Sequence, residues 1–354
     1  MKKIKIFTVV DQRPDLIETQ FKSIKKYLKD LDWEFIVVNN AIASPNIVQH
    51  TNLTNNISRS ELIKEVCIKN GIKCIEPVLI NSLSITNGRK NFDNGMYLEN
   101  QRALSYPLNW VWQNYITEEY KDCINFIIHS DMFLIKEISI EELIGEHNLA
   151  FIPQYRGSKQ QVFYPWDGVV IVKPDCIPSP KELNWDSGFV LGEETDVGGF
   201  GHFYLESYKN FLDILYIEFW NVASFYEEGA NKYFNNAHLN GNARFNFYIE
   251  NDIIQEFKLD GNIFQPKNKI FNYESEKEDY VKYVVDNFLD MIYFLKQKNI
   301  NFPQPMWCDF IKLMDDKISN SFIFHYKSGS NYQPFSTKVY NETKTEQLHK
   351  LLGV

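Results

Sequence analysis

The sequence predicts an α/β protein whose amino-terminal part is a doubly wound, mostly parallel sheet. Three observations carry that prediction. Short β-branched apolar runs alternate with helix-period segments through residues 1–135. The links between the first strand, the first helix and the second strand are short, which implies parallel pairing. A third apolar run, residues 123–128, ends in His129-Ser130-Asp131, and ligands of such sheets bind at the carboxyl ends of the strands.

Each element follows from local chemistry. Ile4–Val10 is apolar on both faces, as a strand buried on both sides is, and Asp11 follows it. Pro14 opens a helix, because proline suits a first helical position. Ile17, Phe21, Ile24 and Leu28 fall on one side of it. Residues 33–38 form a second buried strand ending in Asn39-Asn40. Residues 44–58 are polar and read as a surface loop; residues 60–70 read as a helix stopped by Gly71. Lys73–Ile75 is a short third strand, residues 81–95 a polar loop, and residues 98–115 a helix that leads into the strand at 123–128.

Beyond residue 150 the pattern changes. Residues 151–153 and 169–172 read as strands, and the segments at Trp185 to Gly188 and Gly198 to Gly201 as loops. A helix is expected over residues 203–228, an irregular segment to about residue 270, and then a helix opened by a Ser275/Glu278 capping box. Residues 322–326 form a short strand carrying His325. The expected division is a doubly wound domain over 1–210 and a mainly helical region over 211–354.

Composition bounds the function. The chain has 354 residues, 44% hydrophobic and 23% charged, the balance of an ordinary globular protein. A net charge of −9 with no basic stripe argues against nucleic acid as a partner. Five cysteines, an odd number without metal-ligand spacing, read as reduced thiols in a cytoplasmic protein. No apolar run is long enough to span a bilayer. No phosphate-cradling Gly-x-x-x-x-Gly-Lys, dinucleotide Gly-x-Gly-x-x-Gly or nucleophile-elbow motif is present.

Several residue groups occur in a particular order: Val9-Val10-Asp11, the Pro14 helix, Ile36 to Ala41, Asn100-Gln101-Arg102-Ala103, and Ile128-His129-Ser130-Asp131-Met132-Phe133. In that order the first 135 residues resemble a GT-A glycosyltransferase of the family 2 type. The resemblance implies a Rossmann-like GT-A fold and transfer of a sugar, of the hexosyltransferase type and inverting, from a nucleotide-diphosphate donor to a glycan or other hydroxyl acceptor. It places Asp131 at a Mn²⁺ or Mg²⁺ ion, as the last acid of the family's Asp-x-Asp motif. It also suggests that His325 returns to the metal from the carboxyl-terminal segment, against the plainer reading of a strand histidine. Asp11, Asn39 and Arg102 become nucleotide contacts, although Asn39 stands where the family has Asp. His129 stands for the motif's first Asp; ribose contact, metal ligation and packing are all open to it.

An inverting transfer needs a base within reach of the acceptor hydroxyl. Asp167, Asp186, Glu193, Glu194 and Asp196 are candidates, and Asp196 falls at the spacing the resemblance implies. Asp167 and Asp186 read more simply as turn acids. Trp166 and Trp185 are either sugar-stacking or core residues. A nucleotidyltransferase is the enzyme alternative, argued against by the lack of glycine in Asp11-Gln12-Arg13-Pro14. A non-catalytic glycan- or partner-binding relative of the transferases is the other alternative.

Overall fold

A computed structural model describes residues 2–11, 14–41, 59–77, 105–157, 161–227, 232–239, 243–250, 253–261, 264–265, 269–270, 290–291, 293–300, 306–314, 316–326 and 346–353. The expected loops at 44–58 and 81–95, Arg102 and the capping box at Ser275 lie outside them. The chain forms two compact units. The first takes residues 1–21, 30–130 and 139–215; the second takes 22–29, 131–138 and 216–354.

The first unit is a mixed, mostly parallel sheet with helices, the α/β class the sequence predicts. Its strands are β1 (Ile4–Val10), β2 (Trp33–Asn39), β3 (Lys73–Ile75), β4 (Ile124–Ile128), β6 (Leu149–Arg156) and β7 (Val162–Val172), in the order β6-β7-β4-β1-β2-β3. β1 runs parallel to both β2 and β4, and β2 parallel to β3. β7 is antiparallel to β4 and to β6. The residues of β4 are all buried, and those of β1 nearly so, which is why these strands read as predominantly apolar runs. Helix α1 (Pro14–Tyr27) buries Leu16, Ile17 and Ile24, with Asp15 in its first turn and Lys25 and Lys26 in its last, matching the helix dipole. Helix α2 (Arg59–Asn70) ends at Gly71, as the sequence predicts. Residues 105–111 are α-helical and run into a π-helical stretch, Trp112–Glu119. Helix α3 (Ile140–Ile144), the hairpin of β8 (Gly188–Val190) and β9 (Glu193–Thr195), and helix α4 (Gly201–Tyr208) complete the unit.

The second unit is antiparallel. β10 (Ile214–Glu227), β11 (Lys232–Leu239), β12 (Ala243–Glu250) and β13 (Ile253–Gly261) form a meander. β14 (Phe264–Gln265) and β15 (Lys269–Ile270) make a short hairpin. β10 also pairs with β16 (Met306–Leu313), β16 with β17 (Ile323–His325), and β17 with β5 (Met132–Leu134).

Two expectations are corrected here. The helix expected over 203–228 is the short helix α4 followed by the strand β10. The mainly helical carboxyl-terminal extension is, across residues 214–270, a set of strands. The physical reason is that a long apolar run has no diagnostic period. The aromatic and β-branched content of Ile-Leu-Tyr-Ile-Glu-Phe-Trp suits a pleated sheet better than a helix. All five cysteines are unbridged. Among the described residues no helix is long and apolar enough to cross a membrane.

Candidate functional site

In the first unit the strand order reverses between β1 and β4. The chain winds outward from β1 through β2 to β3, then crosses to the other side of β1 to form β4. The crevice at the carboxyl ends of two such strands is where open α/β sheets bind ligands. Asp11 follows β1 there, half-buried, and His129 follows β4. The Gln20 side chain of α1 donates to the His129 carbonyl at 2.7 Å and anchors the end of β4 to the helix that follows β1.

His129 is held by a bulge in β7. Phe151 pairs with Val170 but Ile152 pairs with Trp166, so residues 167–169 bulge out of the β6 register. The Gly168 carbonyl accepts the His129 N–H at 3.1 Å, and Asp167 Oδ2 lies 2.9 Å from His129 Nε2. The Trp166 ring meets the imidazole edge-on at 5.3 Å. A Cβ on Gly168 would sit 2.5 Å from the Trp166 ring, so glycine is needed for space. Asp167 is buried, not a surface turn acid.

Asp131 opens the segment that becomes β5. Its carbonyl accepts the Tyr326 N–H at 2.7 Å, and β5 pairs with β17 so that Met132 faces His325. The His325 ring lies between two carboxylates. Nε2 is 3.4 Å from Asp131 Oδ1 and Nδ1 is 2.7 Å from Asp309 Oδ2. All three residues are buried. Burial disfavours the charged imidazole, but the Asp131 and Asp309 carboxylates outweigh it and hold the His325 pKa above its ordinary value.

Asp131 and His325, both of the second unit, each offer one ligand-capable atom, 3.4 Å apart. An imidazole and a carboxylate together can hold a divalent cation. A buried carboxylate behind an imidazole, as Asp309 is behind His325, commonly accompanies histidine ligation. The donor set therefore fits a metal.

Asp196 follows β9 and is half-buried. Desolvation raises its pKa first, and the nearby Asp167 charge raises it further, against weaker opposition from the Val197 N–H, Arg156 and His129. Its backbone N–H donates to the Tyr164 hydroxyl at 3.2 Å, and that hydroxyl donates to Gln154 at 2.8 Å. Asp196 thus shares a neighbourhood with Asp167.

Other candidates sit elsewhere in the first unit. Asn39 is fully buried, and its amide donates to the Ser60 carbonyl, the Ser60 hydroxyl and Glu76, at 3.1, 2.9 and 3.1 Å. Asp186 accepts from Asn109 at 3.0 Å. Glu193 accepts from Gln161 at an exposed position. Trp185 is a core residue, wholly buried against Trp112. The glycines at 198 and 199 make room for Pro165 and Thr195 rather than for an open cleft.

Sequence reasoning does not single out Asp309. Its one signal is a lone acid within the apolar strand Met-Trp-Cys-Asp-Phe-Ile.

No family model matches the sequence, and no curated protein matches it. Solved structures similar to the chain include glycosyltransferases. Two are of the galactosyltransferase LgtC, one an active-site mutant and one in complex with donor and acceptor sugar analogues. Each is 14% identical, with TM-scores of 0.28 and 0.29, and each match covers 59% of this chain. It spans 66% of the LgtC chain, just under two thirds. A third is the glycosyltransferase GlyE of Streptococcus pneumoniae TIGR4, 17% identical with a TM-score of 0.25, covering 49% of this chain and 35% of that one.

Proposed function

We propose that this protein is a metal-dependent glycosyltransferase that moves a hexose from a nucleoside-diphosphate sugar to a hydroxyl acceptor. The observation that carries the reading is the approach of His325 to Asp131, an imidazole and a carboxylate buried together in the second unit. Asp131 lies three residues after β4, a strand whose carboxyl end borders the strand-order reversal. Asp131 and His325 hold the cation in this reading. When bound, the cation neutralises charge on the departing diphosphate. Imidazole donors favour Mn²⁺ over Mg²⁺, which prefers oxygen and water.

The chain's own residues do the rest. In this reading Asp11 contacts the nucleotide, and Arg102 is assigned the same role. Asn39 serves it indirectly, by ordering the ends of β2, α2 and β3 through Ser60 and Glu76. Asp196 takes the acceptor proton. Burial, and then the Asp167 charge, raise its pKa, which makes it a stronger base.

Calorimetry with uridine, guanosine and cytidine diphosphates, with and without Mn²⁺, tests the reading. The expected result is nucleotide binding that requires Mn²⁺ and is lost in Asp131→Ala. A ligand at a hundredfold its Kd stabilises the fold by about 2.7 kcal/mol, so thermal shift reports the same linkage. Binding of no diphosphate in the presence of Mn²⁺, or equal binding by Asp131→Ala, overturns it.

A further inference from the structure

We propose that Asp309 is a positioning residue of the cation site: by accepting the Nδ1 proton of His325 it leaves Nε2, the nitrogen on the Asp131 side, as the atom that takes the cation. The inference rests on the metal-dependent reading above and names a group that reading does not need.

Three observations carry it. First, β16 is apolar around this position, with Cys308, Phe310 and Ile311 wholly buried. A buried carboxylate in such a strand is costly unless a partner compensates it. Asp309 is buried too, and its Oδ2 lies 2.7 Å from His325 Nδ1. Second, Asp309 and His325 are directly opposite in the β16–β17 ladder. Residues so placed share a face and have adjacent Cβ atoms, so the backbone itself fixes the contact. Third, the other ring nitrogen is the one that faces Asp131, at 3.4 Å. A proton committed to Nδ1 leaves Nε2 as the donor atom, since in neutral imidazole one nitrogen donates and the other accepts.

The His129–Asp167 contact has the same form in the first unit, through Nε2 at 2.9 Å. In both places a carboxylate occupies one nitrogen of an imidazole. A structural role alone would ask only that Asp309 accept a hydrogen bond. A positioning role asks in addition that the metal be found on the opposite nitrogen.

The test uses the full chain and metal alone. Mn²⁺ titration is followed by calorimetry and by electron paramagnetic resonance for wild type, Asp309→Ala, Asp309→Asn and Asp131→Ala. Asp309→Ala is expected to weaken Mn²⁺ binding about 10- to 100-fold. Asp309→Asn, whose amide oxygen still accepts from Nδ1, is expected to recover much of that loss. Mn²⁺ binding by Asp309→Ala as tight as wild type overturns the inference. Because the alanine variant could unfold, a second measurement uses wild type. In ¹⁵N-histidine-labelled protein loaded with Zn²⁺, with His325 assigned by comparison with His325→Gln, the proton is expected on Nδ1 and the metal on Nε2. Metal on Nδ1 overturns the inference. A wild-type chain that binds no Mn²⁺ overturns the metal-dependent reading itself, a result distinct from Asp309→Ala behaving like wild type.

Discussion

Replacing Gly198 by alanine tests whether the segment carrying Asp196 is braced against the bulge that carries Asp167. Gly198 has φ +93°, and a Cβ built there would lie 2.1 Å from the Pro165 carbonyl oxygen and 3.3 Å from its carbon. Ordinary C···O contacts begin at about 3.3 Å, so β7 or the 198 segment must retreat by roughly 1.2 Å. Pro165 is two residues before Asp167, and Gly198 two residues after Asp196. Whichever side yields, one of the two carboxylates moves. Left-handed backbone costs a non-glycine residue about 1–2 kcal/mol. Overpacking adds about 1–3 kcal/mol, for a total of roughly 2–5 kcal/mol. Gly71→Ala is the control: its φ is +65°, but a Cβ there meets nothing within 4 Å, so only the backbone cost of about 1–2 kcal/mol applies. Urea unfolding of both variants measures the difference. In the transfer assay Gly198→Ala should lose on the order of 100-fold in kcat, the cost of a misplacement near 1 Å, while Gly71→Ala keeps wild-type turnover. If Gly198→Ala is no less stable than Gly71→Ala and turns over normally, the bracing argument is wrong.

Other perturbations reach separate parts of the molecule. Lys312 and Glu218 are paired at 2.7 Å across β10 and β16, both buried; Lys312→Met alone should cost about 3–5 kcal/mol in urea unfolding, and adding Glu218→Leu should restore most of that loss. The Asp196 carboxyl has a raised pKa, so the native state binds its proton more tightly than the unfolded chain does, and stability falls as pH rises from the unfolded value toward the folded one. Asp196→Asn should therefore gain on wild type above that window and match it in acid, as read from unfolding midpoints at a series of pH values. Chelation with EDTA should stop donor turnover, with Mn²⁺ restoring it more effectively than Mg²⁺; full activity in EDTA would exclude the cation from the reaction.

The first unit was legible where burial made the pattern simple. β1, β2 and β4 lie inside the sheet, so their sequences are predominantly apolar, and the Pro14 and Gly71 signals mark helix ends at α1 and α2. β10 was illegible for the same reason inverted. Its apolar run is long enough for a helix, and only its pairing with β11 and β16 decides the matter. At the site, Asp131 and His325 were legible as residue types at informative places, although nothing local shows that 194 positions of chain separate neighbours in space. Asp167 reads as a turn acid because a three-residue bulge leaves no mark in Trp-Asp-Gly. Asp309 was invisible because its meaning lies wholly in the strand opposite. Asn39 stands out in the sequence only through the family resemblance; its three hydrogen bonds depend on Ser60 and Glu76, which no spacing rule connects to it.

The ladder of β16, β17 and β5 has a temporal consequence. Asp131 leaves the ribosome early, but Asp309 and His325 arrive only after a further 178 and 194 residues have been made. The parallel sheet of the first unit can form while the rest of the chain is still being synthesised. The three-residue strand Met132–Leu134 must then wait for a partner that comes much later in translation. Competence to hold a cation would thus be acquired late, after the sheet of the first unit has already formed.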